Sequence, residues 1–156
     1  MKRNKRKHVT LIDNEGGNFS FVSLLKASSQ KKDLVEGTRL HSEIQKRGLL
    51  EKNPRLASSV INMYAKCGVL TKAQEVFEEL PHQNVVCWNA LIAGYAQHGY
   101  GEEALKCFEL MRDENISPDA ITFSSVLRAC GIMTFLEKGI EIHNHIAGNG
   151  ILQGNI

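Results

Sequence analysis

Apolar residues in this chain recur with a helical period rather than a strand period. Trp88, Leu91, Ile92 and Tyr95 stand at i, i+3, i+4 and i+7, and beyond Gly99 a second set follows, Ala104, Leu105, Phe108 and Met111. Such spacing turns one side of a helix toward a core. The preceding stretch does the same with Val60, Ile61 and Tyr64, then Ala73, Val76, Phe77 and Leu80. Gly68 and Gly99 fall where the first helix of each pair should stop, and Pro81 and Pro118 where the second has ended, the placement expected of a C-terminal glycine and a following proline. Each stretch is predicted to be helix, turn, helix.

The chain also repeats itself. Tyr64-Ala65-Lys66-Cys67-Gly68 returns 31 positions later as Tyr95-Ala96-Gln97-His98-Gly99, and Val76-Phe77-Glu78 returns at the same offset as Cys107-Phe108-Glu109. Phe21-Val22-Ser23-Leu24-Leu25-Lys26-Ala27 matches Phe123-Ser124-Ser125-Val126-Leu127-Arg128-Ala129, 102 positions on, and Gly37 to His41 against Gly139 to His143 keeps that offset. Units beginning near Asn18, Pro54, Val85 and Ala120 satisfy both offsets with a mean period of about 34. A period of roughly 20–50 residues marks a repeat architecture, in which each unit buries its apolar faces only by stacking on neighbours. The expected fold is all-α, a right-handed solenoid of about four helix-turn-helix hairpins similar to tetratricopeptide arrays. Its predicted units are 18–53, 54–84, 85–119 and 120–156, behind a basic N-terminal tail over 1–17.

Composition narrows the function classes. A 156-residue chain that is 42% hydrophobic and 23% charged has the balance of a soluble folded protein. No apolar run approaches the roughly 18 residues of a membrane span, so no membrane partner is expected. The net charge is +2, yet Lys2, Arg3, Lys5, Arg6 and Lys7 supply five of the 19 basic residues, and the remainder carries 14 basic against 17 acidic side chains. A body of balance −3 does not attract polyanions by charge alone, so any nucleic acid it binds must be held largely through its bases. Cys67, Cys87, Cys107 and Cys130 form no Cys-x-x-Cys pair, and are read as free thiols, buried as small apolar groups.

Asn84-Val85-Val86-Cys87-Trp88-Asn89-Ala90-Leu91-Ile92-Ala93-Gly94-Tyr95, with Glu102-Glu103-Ala104-Leu105 and Ile116-Ser117-Pro118-Asp119, strongly resembles a pentatricopeptide repeat. Asn62-Met63-Tyr64-Ala65-Lys66-Cys67-Gly68 is similar to the short repeat of plant arrays, and Gly139-Ile140-Glu141-Ile142-His143 to the long one. The order long, short, standard, long resembles the plant subclass that mixes three repeat lengths. The resemblance implies sequence-specific binding of single-stranded RNA in mitochondria or chloroplasts, one base per repeat, with RNA-editing or processing proteins as further partners. It implies no cofactor, no small-molecule substrate and no enzyme activity. In the family, bases are chosen by a polar residue of the first helix together with the last residue of the repeat. Here those are Asn89 with Asp119, similar to pairs preferring uracil, and Ser58 with Asn84, similar to pairs preferring adenine. Val86 and Ile121 match the apolar side chains between which bases stack. The second unit has Arg55 at that place, whose guanidinium plane can also stack on a base. The outer units depart from the pattern: Val22 with Lys52 or Asn53, and Ser124 with Gly154, make no evident reading pair.

Each residue also has a plainer reading. Asn, Ser and Asp at helix boundaries commonly bond local backbone, and Asp119 is well placed to cap the next helix. Trp88 and Tyr95 lie on the apolar stripe, where packing is the expected role. His41-Ser42-Glu43 matches half of a zinc-deaminase signature, but it recurs as His143-Asn144-His145 and no Cys-x-x-Cys accompanies it, so it is read as helix surface. The alternative function is a protein-binding helical scaffold, which would present a continuous apolar or singly charged groove in place of small polar residues. The run Lys2–Lys7 fits a solvated tail, a phosphate-contacting arm or part of a targeting sequence; the C-terminus arrives where a further unit is expected to begin, as in a piece of a longer array.

Overall fold

In a computed structural model the described residues are 14–133 and 136–148. The Lys2–Lys7 run and Gly154 lie outside them. The described residues hold eight α-helices and no strand: α1 (Asn14–Lys31), α2 (Leu34–Lys46), α3 (Pro54–Lys66), α4 (Leu70–Glu79), α5 (Val85–Gln97), α6 (Gly101–Asp113), α7 (Ala120–Met133) and α8 (Leu136–Gly148). They fall into two compact units, Met1–His82 and Gln83–Ile156.

In the first unit α1 packs on α2 and α3, and α3 packs on α2 and α4. The predicted stripes are the core: Val60, Ile61 and Tyr64 of α3 and Ala73, Val76, Phe77 and Leu80 of α4 are all buried, with Phe21, Leu25, Leu40 and Ile44 from the first hairpin. Asp33 opens α2 by accepting the Glu36 N–H at 3.1 Å, and Asn53 opens α3 by accepting the Arg55 and Leu56 N–H groups ahead of Pro54. These side chains satisfy amides that the helix itself leaves unpaired. Gly37 of α2 lies against Met63 of α3, leaving no room there for a Cβ beside the Met63 sulfur.

In the second unit α5 packs on both α6 and α7, α6 also packs on α7, and α8 packs on α7. Trp88, Leu91, Ile92, Ala104, Leu105, Phe108 and Met111 are buried as their spacing predicts, while Tyr95 is half-buried with its ring edge-on to Tyr100 at 6.3 Å. Phe108 meets Phe123 edge-on at 5.8 Å, joining the two hairpins of this unit.

Gly68 and Gly99 do end the first helices: each has φ 84°, and the next residue's N–H reaches back to the carbonyl of Tyr64 or Tyr95 at 2.9 Å. Glycine takes this left-handed conformation without the Cβ clash that other residues suffer. Lys32 (φ 56°) and Asn115 (φ 64°) make the same kind of turn without glycine. Two expectations need correction. Helix α1 begins at Asn14, inside the stretch 1–17 read as lying outside the repeats. Cys87, Cys107 and Cys130 are buried, but Cys67, on the turn after α3, is half-exposed.

Candidate nucleic-acid interface

The second unit brings Asn89 and Asp119 together, although 30 residues separate them. Asp119 immediately precedes α7, and its Oδ1 accepts the Thr122 N–H at 3.0 Å, while Thr122 Oγ1 accepts the Asp119 N–H at 3.1 Å. This reciprocal pair is a capping box, with aspartate and threonine in place of the usual partners. Because α5 packs on α7, the fifth residue of α5 reaches the same point: Asn89 Nδ2 donates to Asp119 Oδ1 at 3.1 Å, and the Thr122 hydroxyl donates to Asn89 Oδ1 at 2.5 Å. Burial alone would raise the Asp119 carboxyl, but the Thr122 N–H and the Asn89 amide, with the Ile121 N–H, outweigh it and hold it below the usual carboxylate value. Asp119 is therefore an anion at neutral pH. An anion there also orients the amide, since the reversed amide would set its oxygen against the carboxylate.

Exposure differs across this group. Asp119 is exposed, whereas Asn89 is 7% exposed and Thr122 fully buried. Beside it, Val86 and Ile121, each the second residue of its helix, are 51% and 62% exposed. These two apolar side chains thus stand in water at matching places on α5 and α7.

The other expected site residues have plainer surroundings. Asn84, in the second unit, caps α5 by accepting the Cys87 N–H at 3.0 Å. Ser58, in the first unit, is buried and its hydroxyl donates to the Arg55 carbonyl at 3.0 Å, and Arg55 is exposed in the first turn of α3. His41 is a core residue rather than helix surface: Nδ1 lies 2.8 Å from the Tyr64 hydroxyl, with the rings edge-on, and Nε2 is buried without a hydrogen-bond partner. Burial lowers the His41 pKa, Lys72 lowers it further and Glu79 opposes them. Glu43 pairs with Arg47 at 3.2 Å instead of joining His41. Among the described residues no three His, Cys, Asp or Glu side chains are grouped to hold a metal ion, and no helix is long and apolar enough to cross a membrane.

Thr122 is the residue that reading the sequence missed. A threonine is unremarked at an apolar position, and the available signal was its place three residues after Asp119, the spacing of a capping box.

Paired helices whose first members stack on one another within a unit, with a polar group at their starts, define a helical-hairpin repeat protein. The family model for the PPR repeat matches residues 57–85, and that for the PPR repeat family matches residues 83–131. The chain belongs to the pentatricopeptide repeat family. A pentatricopeptide repeat-containing protein of Arabidopsis thaliana is 37% identical over 138 residues, which is 88% of this chain and 20% of that protein. A chloroplastic relative from the same plant is 37% identical over 133 residues, covering 85% of this chain and 21% of the relative, and a mitochondrial one is 38% identical over 123 residues, covering 79% and 14%. The chain thus spans about a fifth of the length of such relatives. The crystal structure of the pentatricopeptide repeat protein PPR10 from maize is similar with a TM-score of 0.70 and 21% identity, over 85% of this chain and 19% of that one. PPR10 in complex with an 18-nt psaJ RNA element is similar with a TM-score of 0.63 and 18% identity, over 92% and 27%. These likenesses show the fold.

Proposed function

We propose that this chain binds single-stranded RNA and reads bases with its polar first-helix residues. Asn89 with Asp119 meets a uracil, Ser58 with Asn84 meets an adenine, Val86 and Ile121 stack on the base between them, and Arg55 stacks in the preceding unit. The observation that carries this reading is the hydrogen-bonded pair Asn89–Asp119 beside two exposed apolar side chains at equivalent places, Val86 and Ile121. An amide offers the donor and acceptor that a base edge needs, and a flanking apolar surface offers the stacking, worth about 1–3 kcal/mol per base. RNA is the ligand of PPR10 in the similar complex, which supports the same ligand class here. Action in a chloroplast or mitochondrion, within RNA editing or processing, belongs to the same proposal and is supported by relatives named for those organelles.

The test is a fluorescence-anisotropy comparison using the full chain and RNAs identical except at an adenine–uracil step. The proposal expects tighter binding to the adenine–uracil RNA than to RNAs changed at either base. Equal affinity for all of them would contradict base reading.

A further inference from the structure

Asn89 is an ambivalent reader, because one end of its amide donates and the other accepts. Uracil carries an acceptor oxygen on C4 next to a donor N3–H, whereas cytosine carries a donor amino group on C4 next to an acceptor N3. Which end of the amide is presented therefore decides between them. The Thr122 hydroxyl has one proton and two acceptors within reach, Asn89 Oδ1 at 2.5 Å and Asp119 Oδ1 at 2.9 Å. Asp119 Oδ1 already accepts two N–H groups, from Asn89 and from Thr122 itself. Asn89 Oδ1 belongs to a residue only 7% exposed, where an oxygen lacking a donor is costly. This demand, with the Asp119 oxygen already supplied, assigns the proton to Asn89 Oδ1.

On this basis we propose that Thr122 is a specificity-determining positioning residue. By holding the Asn89 oxygen inward it leaves the second Nδ2–H as the group Asn89 offers to a base, which suits the C4 oxygen of uracil and opposes the C4 amino group of cytosine. Asp119 enforces the same orientation from the other end of the amide, and Thr122 is itself fully buried, so it acts through Asn89 and touches no base. The inference rests on the base-reading proposal above.

The experiment compares Thr122→Val and Thr122→Ser with the unaltered chain, using two single-stranded RNAs that differ only by uracil or cytosine after the adenine. Valine keeps the shape and removes the hydroxyl. It is expected to reduce the uracil-over-cytosine ratio by roughly fivefold, the worth of one net hydrogen bond. Serine is expected to restore the ratio to within about twofold, since it can rebuild the same bond. A loss of stability alone would weaken binding to both RNAs alike, so the ratio separates positioning from folding. An unaltered protein that prefers uracil, with a valine variant that prefers it equally, overturns the role of Thr122 while leaving base reading intact. An unaltered protein indifferent to the two RNAs overturns base reading itself, and the role with it. Should the valine variant lose its helical circular dichroism, Thr122→Ala, which removes the same hydroxyl without placing a methyl in its stead, decides: a lowered uracil-over-cytosine ratio supports the role of Thr122, and an unchanged ratio overturns it.

Discussion

His41 and Tyr64 show how much a single buried pair governs. The imidazole is held by the Tyr64 hydroxyl on one nitrogen and left unpartnered on the other, and burial keeps its pKa below the ordinary value. A histidine whose folded pKa lies below its unfolded one contributes nothing while both states are neutral and costs stability once the unfolded state protonates. Below about pH 6.5 the unfolded imidazole takes a proton that the folded one refuses, so stability falls on acidification through that range. Urea unfolding at pH 7.5 and at pH 5.5 is expected to show a lower midpoint in acid, and His41→Phe to flatten that difference. The resemblance of the surrounding repeat made Asn89 and Asp119 legible, but Thr122 and the His41–Tyr64 bond were not. Tyr64 lies 23 residues from His41 and Asn89 33 from Thr122, and of these bonds only the three-residue spacing of Asp119 and Thr122 left a local trace. Threonine and histidine in a stripe of apolar residues are read by default as packing and surface.

At the scale of helices, the hairpins follow from periodicity and from glycine and proline positions, and the buried sets match the predicted ones almost residue for residue. The start of α1 at Asn14 was not legible because Gly16 and Gly17 are poor helix formers, and propensity argued against extending a helix through them. The turn at Lys32 was missed for the complementary reason: a lysine at φ 56° gives no glycine signal. Relieving that conformation with Lys32→Gly is expected to stabilise the chain by up to about 1 kcal/mol, and Gly68→Ala to destabilise it by a similar amount, as chemical denaturation would measure. Gly37→Ala should cost about 1–3 kcal/mol, because its methyl meets Met63, a fully buried side chain, in the contact between α2 and α3. A neutral result for Gly37→Ala would mean that the flexible end of the Met63 side chain moves aside without loss.

For the whole molecule, the charge division seen in the sequence bears on how the proposed RNA ligand would be held. The body beyond Lys7 has more acidic than basic residues, and Lys2, Arg3, Lys5, Arg6 and Lys7 are the concentrated positive charge. If those five meet phosphates, replacing them by glutamine should reduce the salt slope of RNA binding by up to about 3.5 and leave the preference for uracil unchanged. An unchanged slope would assign the phosphate contacts to cations of the helical body. The repeat family was legible in the residues because its hairpin consensus spans a whole unit.

On the proposed function, Val86, Asn89, Asp119 and Ile121 form one base-binding place. The most direct measurement is the methyl NMR spectrum of the full chain on addition of the adenine–uracil RNA. A base seated between Val86 and Ile121 would shift their methyl signals upfield through its ring current, and Asn89→Ala should weaken the effect. Saturating RNA that leaves those methyls in place while moving signals elsewhere would contradict the account.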